Sequence, residues 1–266
     1  MADEYVEQFT VFIDFLGIKE ASKKIDDQAR QHLLELLVKI ATLRSNSKYF
    51  RTQGLLGNAV TIRPAISTFS DNLVISYNIN EIKLINDGNT NAYFIWPSLI
   101  KMISLIASQA LGIGFLIRGG ATIGKLYHSQ GVIFGEALVD SYKIESSISK
   151  YPRIVISNEI VNNHDFMEHK SMWLFKDMDG LYCIDYFFSM LWESGIVGVG
   201  SRYPSKEWFD KAVNMMNLKL NELSKSGKQT EYSNWHWFAK NFKLGLQRVP
   251  KDLLGDMRIE VDTLPW

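Results

Sequence analysis

Strand-like and helix-like segments alternate through the first two-thirds of this chain, and a helical tail follows them. The strand-like segments, rich in apolar and β-branched residues, are residues 9–14, 60–67, 73–77, 114–122, 131–134 and 153–157. The helix-like segments, with apolar residues at helical spacing, are residues 26–44, 97–111, 136–148, 206–224 and 232–247. This order predicts an α+β fold with helices on one face of a sheet. We expect one domain over residues 1–200 and a helical C-terminal extension, residues 201–266, packed on it.

Two turn signals predict β-hairpins. Residues 68–72 (Thr-Phe-Ser-Asp-Asn) separate two strand-like segments and place Asp71 at the tip of the turn. Pro64 indicates that the first of these strands lies at an edge or contains a bulge. Residues 177–180 (Asp-Met-Asp-Gly) predict a second hairpin within residues 173–187.

The composition argues against several classes of protein. The 266 residues are 46% hydrophobic, so a sizeable core can form and disorder is not expected. The formal net charge is zero, which argues against a dedicated nucleic-acid-binding protein because phosphate contacts usually need a basic excess. Cys183 is the single cysteine, so no internal disulfide can form, and this suits a reducing compartment.

We expect neither a signal peptide nor a membrane-spanning segment in this sequence. Residues 1–4 (Met-Ala-Asp-Glu) lack the basic and apolar regions of a signal peptide. The longest apolar stretch, residues 96–117, is interrupted by Pro97, Lys101 and Gln109, and it predicts a buried helix followed by a strand. We therefore expect a cytoplasmic protein that does not cross a membrane.

Asp14 and Asp71 are the first candidates for chemistry. Asp14 ends an apolar run in which a carboxylate would be costly to bury without a partner. Asp71 has a similar setting, before the apolar residues 73–75. If the two strands are neighbours, both carboxylates leave the sheet at one edge, and a divalent cation would relieve their repulsion. The alternative is that both aspartates only cap turns.

Four short segments follow one another in an informative order. Residues 12–17 (Phe-Ile-Asp-Phe-Leu-Gly) and 67–71 (Ser-Thr-Phe-Ser-Asp) resemble the two metal motifs of class III nucleotide cyclases. Residues 118–125 (Arg-Gly-Gly-Ala-Thr-Ile-Gly-Lys) resemble the family's strand that ends in a glycine and a basic residue. Residues 134–143 (Phe-Gly-Glu-Ala-Leu-Val-Asp-Ser-Tyr-Lys) resemble its segment that leads into the helix with the transition-state residues. Together they are similar to the bacterial pyrimidine cyclases of the Pycsar antiphage defence system.

The resemblance implies a fold and a metal site. The fold would be an antiparallel-rich sheet with a ferredoxin-like core. Two Mg²⁺ or Mn²⁺ ions would be bound by Asp14 and Asp71, and the backbone carbonyl of Phe15 would complete the shell of one ion. The backbone amides of Phe15, Leu16 and Gly17 would contact the triphosphate.

The resemblance also implies roles for two lysines. Lys125 falls where the family has an arginine that contacts the phosphates. Lys143 replaces the helix arginine that neutralises the transferring phosphoryl group. Lysine is a flexible point charge and not a bidentate fork, so its role differs in detail. Val139 falls where the family has the asparagine that orients the ribose, so the ribose must be positioned by another group.

The base-reading positions depart from those of the ATP-specific members. Those members carry a lysine and an aspartate where this chain has Ser67 and Val132, which argues against ATP and suits a pyrimidine base. Tyr49 is a second candidate for contact with the base, and packing in the core is the alternative role. The choice between uracil and cytosine stays open.

The implied activity is the conversion of UTP or CTP to 3′,5′-cyclic UMP or cyclic CMP with release of pyrophosphate. Class III sites lie between two domains, so one domain per chain implies a homodimer with two composite sites. Asp14 and Asp71 would come from one subunit and Lys143 from the other. A separate effector that senses the cyclic nucleotide is also implied. The alternatives are a degenerate cyclase domain that binds nucleotide or dimerises, and a purine cyclase.

Overall fold

The computed structural model describes residues 5–18, 31–32, 34–38, 40, 51–53, 59–61, 63–81, 95–168, 170–193 and 206–248. The strands are β1 (Val6–Leu16), β2 (Arg51–Gln53), β3 (Ala59–Thr61), β4 (Ala65–Phe69), β5 (Asn72–Asn78), β6 (Leu116–Ser129), β7 (Val132–Phe134), β8 (Ile154–Ile156), β9 (Leu174–Lys176) and β10 (Tyr182–Ile184). The helices are α1 (Ile95–Gly112), α2 (Glu136–Lys143), α3 (Asn158–Val161), α4 (His164–Met167), α5 (Lys170–Trp173), α6 (Tyr186–Glu193), α7 (Lys206–Ser226) and α8 (Gln229–Gln247). A π-helical turn, Ile144–Ile148, continues α2.

One large mixed sheet organises the chain. Its order is β4-β5-β1-β6-β8-β10-β9, and β7 forms a hairpin with the end of β6. The long strand β1 pairs antiparallel with β5 and β6, while β6 pairs parallel with β8. β2 and β3 form a separate two-stranded sheet.

The principal core lies between the sheet and the helices α1, α6, α7 and α8. Successive side chains of a strand point to opposite faces, and Phe9, Val11 and Ile13 of β1 all belong to this core. The edge of the Phe9 ring meets Trp96 of α1 with centroids 5.3 Å apart. α1 is therefore fixed on one face of β1.

The other face of the sheet is covered by α2, which approaches β6 closely. A Cβ atom at Gly120 would overlap the carbonyl oxygen of Ser141 and lie 2.6 Å from Cβ of Ile144. At Gly124 the same atom would lie 3.4 Å from Cβ of Ala137. The glycines of β6 thus make room for α2, as glycine does where two backbones approach closely.

The predicted α+β class is confirmed, including the helical C-terminal part. The hairpin with Asp71 at its tip and the hairpin within residues 173–187 are both present. The single strand predicted over residues 60–67 is divided: Ala59–Thr61 belongs to the separate two-stranded sheet, and β4 begins after Pro64 as an edge strand, in agreement with the proline signal. Within the predicted helix 26–44, residues 31–32, 34–38 and 40 are described and helical. The predicted domain boundary at residue 200 lies outside the described residues.

Three further details of the prediction are wrong. Helices lie on both faces of the sheet, because the glycines of β6 admit α2 to the second face. β6 does not end at Thr122 but continues to Ser129, since its pairing with β1 holds Gly124 in the ladder. The single helix predicted over residues 136–148 changes to a π-helical turn after Lys143.

One helix of the described part, α1, is long and apolar enough to cross a membrane. Of its 18-residue window, 72% is buried inside the protein. The helix leads into β6, so the apolar stretch forms the buried helix and following strand that the sequence predicts.

Candidate functional site

Asp14 and Asp71 come together where β1 meets the β4–β5 hairpin. Asp14 is paired with Asn72 across the β1–β5 ladder, and Asp71 is the next residue, in the turn. The amide of Phe15 donates a hydrogen bond of 3.1 Å to the backbone carbonyl of Asp71. The two partly exposed aspartates therefore lie close together at one end of the central strands, here called the aspartate edge.

The turn also orients the carboxylate of Asp71. Ser70 Oγ and Asn72 Nδ2 donate hydrogen bonds to Asp71 Oδ1 at 2.9 and 3.3 Å. Ser70 has a φ of 55°, a left-handed conformation that is uncommon outside glycine. The Ser-Asp-Asn sequence thus supplies both a tight turn and two donors that fix one carboxylate oxygen.

Arg118 connects Asp14 to a buried carboxylate. It is directly opposite Asp14 in the β1–β6 ladder, and its Nη2 lies 3.6 Å from Asp14 Oδ2. The same guanidinium contacts Glu145 Oε1 through Nε at 2.7 Å and through Nη2 at 2.5 Å. Because Glu145 is 3% exposed, its charge needs a close partner. Arg118 therefore neutralises Glu145 first and Asp14 second.

A cavity of about 740 Å³ opens beside the two aspartates. Pockets for small ligands typically measure roughly 300–1,000 Å³, so this one is large enough for a nucleotide. One wall contains Asp14, Asp71 and Arg118 together with residues 15–17. Gly17 has a φ of 100°, which allows the chain to turn away from the end of β1. The predicted metal and phosphate positions Asp14, Phe15, Leu16, Gly17 and Asp71 all line this cavity.

The C-terminal helices form another part of the cavity wall. Charged and polar groups of α7, α8 and their connection line it: Lys219, Glu222, Ser226, Lys228, Thr230, Glu231 and Asn234. Leu223 and Trp235 lie in the same wall and are buried. Sequence reasoning gave this extension no role, and the fold places it against the candidate site.

Ser67 is tied to a buried histidine. Its Oγ lies 2.9 Å from Nε2 of His128, and Nδ1 of that ring lies 2.8 Å from Oγ of Ser76. A neutral imidazole carries one N–H and one acceptor nitrogen. The position of that proton therefore decides whether the Ser67 hydroxyl accepts from the ring or donates to it.

Lys125 and Lys143 lie outside the cavity of their own chain. Lys125 is seven residues beyond Arg118 in β6, which corresponds to about 23 Å along a strand. Its side chain is exposed, and its amide donates to Glu136 Oε1 at 3.0 Å. Lys143 is exposed on α2, where Nζ lies 3.1 Å from Asp140 Oδ1. Tyr49 lies outside the described residues.

An exposed apolar strip runs along β7, α2 and the tip of β4. Its members are between 43% and 69% exposed, and they are Phe69, Val132, Phe134, Val139 and Tyr142. The buried ring of Phe12 contacts those of Phe69 and Tyr142, with centroids 6.1 and 5.4 Å away. Exposed apolar side chains of this kind are typical of an interaction surface.

The donor set fits a hard divalent cation. Mg²⁺ and Mn²⁺ prefer oxygen ligands, and Mg²⁺ commonly takes one or two carboxylates from the protein and further ligands from phosphates and water. Asp14, Asp71 and the backbone carbonyl of Phe15 are such ligands. No group of three or more His, Cys, Asp or Glu residues that could hold a metal is found among the described residues.

Three residues that contact Asp14 or Ser67, directly or through another side chain, carry no local signal of that role in the sequence. Arg118 belongs to a recognised segment, but its place opposite Asp14 depends on the strand register. Glu145 follows an apolar residue near the end of a helix, which is not a local signal of a buried ion pair. His128 meets Ser67 and Ser76 only because three strands bring them together.

No family model matches the chain, and no curated protein matches it in sequence. Among solved structures it is similar to the guanylyl cyclase domain of the RhoGC fusion protein from the aquatic fungus Blastocladiella emersonii, with 15% identity and a TM-score of 0.44 over 68% of this chain and 95% of that one. It is also similar to a bacterial light-regulated adenylyl cyclase, with 12% identity and a TM-score of 0.41 over 68% of this chain and 52% of that one. A third similar structure is the adenylate/guanylate cyclase/hydrolase from Silicibacter pomeroyi, with 15% identity and a TM-score of 0.37 over 67% of this chain and 94% of that one. At identities and TM-scores this low, the activity has to be argued from the chain's own residues.

Proposed function

We propose that this chain is a nucleotide cyclase that converts a nucleoside triphosphate to a 3′,5′-cyclic monophosphate and pyrophosphate. The observation that carries the proposal is the shared cavity wall of Asp14, Asp71 and residues 15–17. A carboxylate pair beside a turn of the backbone suits a triphosphate accompanied by divalent ions. The four segments that resemble class III cyclases support the same reaction.

The chain's residues would bind and orient the substrate and would not form a covalent bond with it. Asp14, Asp71 and the Phe15 carbonyl would hold two Mg²⁺ or Mn²⁺ ions, and the amides of residues 15–17 would contact the phosphates. When bound, the ions would lower the pKa of the attacking 3′-hydroxyl and neutralise charge on the phosphates. The new bond joins O3′ to the α-phosphorus, the bond from that phosphorus to pyrophosphate breaks, and the hydroxyl proton is released.

A homodimer with composite sites accounts for the residues outside the cavity. Lys143 is exposed on α2, next to the exposed ring of Tyr142. A second copy that covered the apolar strip would bury its side chains and bring Lys143 to the other subunit's site. Lys125, which cannot reach the phosphates of its own subunit, would also need such an arrangement.

We further propose that the base of the substrate is a pyrimidine. Ser67 is small and bound to His128, so it can present either hydrogen-bond polarity to the base. Uracil and cytosine differ at one carbonyl-or-amine edge, which is a distinction that a hydroxyl can make. Together with the similarity to Pycsar cyclases, this supports cyclic UMP or cyclic CMP as the product and a separate effector as its receptor, in a cytoplasmic antiphage system.

The test is turnover by the purified chain with Mn²⁺ or Mg²⁺ and ATP, GTP, CTP or UTP in separate reactions, with products identified by mass. Asp71→Asn should reduce the rate at least about 100-fold, because it removes a charge that the cations need. Its melting temperature should change little, since the amide keeps most of the turn's hydrogen bonds. Glu159→Gln, an exposed carboxylate outside the cavity, is the matched control.

The products decide between the alternatives. A cyclic pyrimidine nucleotide supports the whole proposal, and a change in base preference in Ser67→Ala would assign that residue to the base. Cyclic AMP or cyclic GMP would support a cyclase and overturn the pyrimidine assignment. No product from any triphosphate, with nucleotide binding intact, would favour a degenerate domain that binds without turnover.

A further inference from the structure

The α7–α8 hairpin packs against α1 and α6. Leu223 and Trp235, which line the cavity, are 9% and 7% exposed. At the end of α8, both terminal nitrogens of Arg248 bind the buried carboxylate of Asp185, one of them at 3.1 Å. The cavity wall is therefore part of the packed structure, and the backbone positions of its charged residues are held in place.

Lys219 is placed by its contact with the turn between α1 and β6. A Cβ atom at Gly114 would lie 3.1 Å from Cε and 3.6 Å from Nζ of Lys219. Gly114 has a φ of 83°, so this turn has no side chain in the way of the lysine. The turn leads directly into β6, which carries Arg118. Lys219 therefore lies beside this turn and lines the same cavity as Arg118.

Each of the two lysines of this wall has a glutamate partner three residues further along the chain. Lys219 Nζ lies 3.8 Å from Glu222 Oε2, and Lys228 Nζ lies 2.8 Å from Glu231 Oε1. Both pairs are partly exposed, and ion pairs of this kind contribute little because water and salt screen them. A bound phosphate could therefore replace or join either glutamate at small cost.

The charge of the lining explains why cations would be needed first. The lining carries four carboxylates and three basic groups, which leaves one net negative charge. The carboxylates are Asp14, Asp71, Glu222 and Glu231, and the basic groups are Arg118, Lys219 and Lys228. A free polyphosphate would be repelled by the four carboxylates. Two divalent ions at Asp14 and Asp71 would reverse the sign of the cavity and leave the lysines to bind phosphate oxygens.

From this arrangement we infer that the C-terminal hairpin is part of the substrate site, and that Lys219 and Lys228 bind the terminal phosphates of the triphosphate. The inference rests on the proposed function for the identity of the ligand. Under this inference, one subunit contributes the metal ligands, the amides of residues 15–17 and the pair Lys219 and Lys228, here called the lysine wall.

The experiment measures the binding of inorganic tripolyphosphate to the full chain by titration calorimetry with Mg²⁺ present. Lys219→Gln and Lys228→Gln should each weaken binding about five-fold, since each removes a charge-assisted contact. The double variant should show a larger loss than either single variant. Lys219→Arg keeps the charge and should bind nearly as tightly as the natural chain.

Lys225→Gln is the matched control, because it makes the same change on the exposed side of α7, outside the cavity lining. Equal weakening by Lys225→Gln would indicate a diffuse charge effect and would overturn the inference. Wild-type affinity in the double variant would overturn it as well. Melting curves of the variants would show that a loss of binding does not come from unfolding.

Turnover separates this inference from the proposed function. If the chain makes a cyclic nucleotide and the double variant keeps the same KM, the lysine wall is wrong and the cyclase stands. If the chain makes no product but tripolyphosphate binding still depends on Lys219 and Lys228, the lysine wall stands and the cyclase proposal fails. A raised KM with kcat changed less than about two-fold supports both, because lysines that only bind phosphate contribute equally before and during the reaction.

Discussion

Two arginines near the starts of neighbouring parallel strands each contact two carboxylates, but one side chain is buried and the other is partly exposed. Arg118 lies in β6 and Arg153 comes just before β8. The strands are in contact at this level, since the amide of Gly119 donates to the carbonyl of Arg153 at 2.9 Å. The backbones of the two arginines are thus neighbours, and the two guanidinium groups differ in their burial and in their carboxylate partners.

Arg153 belongs to a closed cluster. It is 1% exposed and binds Asp177 and Asp179 of the β9–β10 turn, with Nη2 at 2.5 Å from Asp179 Oδ2. Burial by itself would lower the pKa of Arg153, but the hydrogen bonds to Asp179 and Asp177 outweigh it and raise the pKa. The hydrogen bond from Arg153 in turn lowers the pKa of Asp179. This cluster fastens a turn to the sheet.

Arg118 belongs to an open cluster. Its side chain is 25% exposed, and it contacts Glu145 closely but reaches Asp14 at only 3.6 Å. The looser contact faces the cavity. A buried guanidinium that holds carboxylates through both terminal nitrogens indicates a structural role, whereas one that is partly exposed beside a cavity leaves room for a ligand to rearrange the charges.

The largest expected effect comes from Arg153→Met. The variant leaves two carboxylates beside each other without their cation, so we expect a loss of about 3 kcal/mol in the free energy of unfolding. For a chain of this size the melting temperature should fall by roughly 6–12 °C, measurable by circular dichroism.

Two measurements control that result. Adding Asp177→Asn and Asp179→Asn to Arg153→Met should restore part of the stability, because no unpaired charge then remains. Activity per folded molecule should stay within about two-fold of the natural chain. A large loss of activity at unchanged stability would show that the closed cluster acts in the reaction, and the comparison would fail.

An intermediate effect is expected for Glu145→Gln. The amide keeps a hydrogen bond to Arg118 but no longer neutralises it, so the positive charge turns towards Asp14 and opposes cation binding. The midpoint of Mn²⁺ activation should rise about ten-fold, as for other residues that support metal ligands. Glu136→Gln, at the start of the same helix but outside the cavity, should leave the midpoint unchanged. An unchanged midpoint in Glu145→Gln would mean that Arg118 does not influence the metal site.

The smallest effect concerns acid stability. Arg153 depresses the pKa of Asp179, so the stabilisation is complete above the unfolded-state pKa of about 4 and is lost as the pH falls through the folded-state value. Because the Asp179 side chain is 45% exposed, the contribution should be below about 1 kcal/mol. Denaturant unfolding at pH 7 and pH 3 should show a smaller loss of stability in Asp179→Asn than in the natural chain. Equal losses would remove Asp179 from the closed cluster.

The aspartate edge was predictable because local signals converge there. The apolar run of β1 indicates a buried central strand, and the Ser-Asp-Asn sequence indicates the turn at Asp71. The helical spacing in α7 and α8 likewise predicts both helices, with ends within a few residues of those observed.

The rest of the site depends on contacts between distant segments. Glycines in β6 suggest breaks by local preference, whereas the close approach of α2 is the reason that they lie inside a continuous strand. Nothing in the sequence near Lys219 indicates that α7 faces residues 15–17, which precede it by about two hundred positions. Local patterns determine which segments form, and packing determines which of them meet.

A saturation screen of this chain would mark Gly119 and Gly120 as two adjacent positions that accept no side chain. A Cβ atom at Gly119 would lie 2.5 Å from the carbonyl oxygen of Phe12, and one at Gly120 would overlap that of Ser141. Such a pair beside Arg118 is easily taken for a phosphate-binding loop. Its intolerance has a steric origin: Gly119 is closed off by the neighbouring strand β1, and Gly120 is closed off by α2 and the turn that follows it.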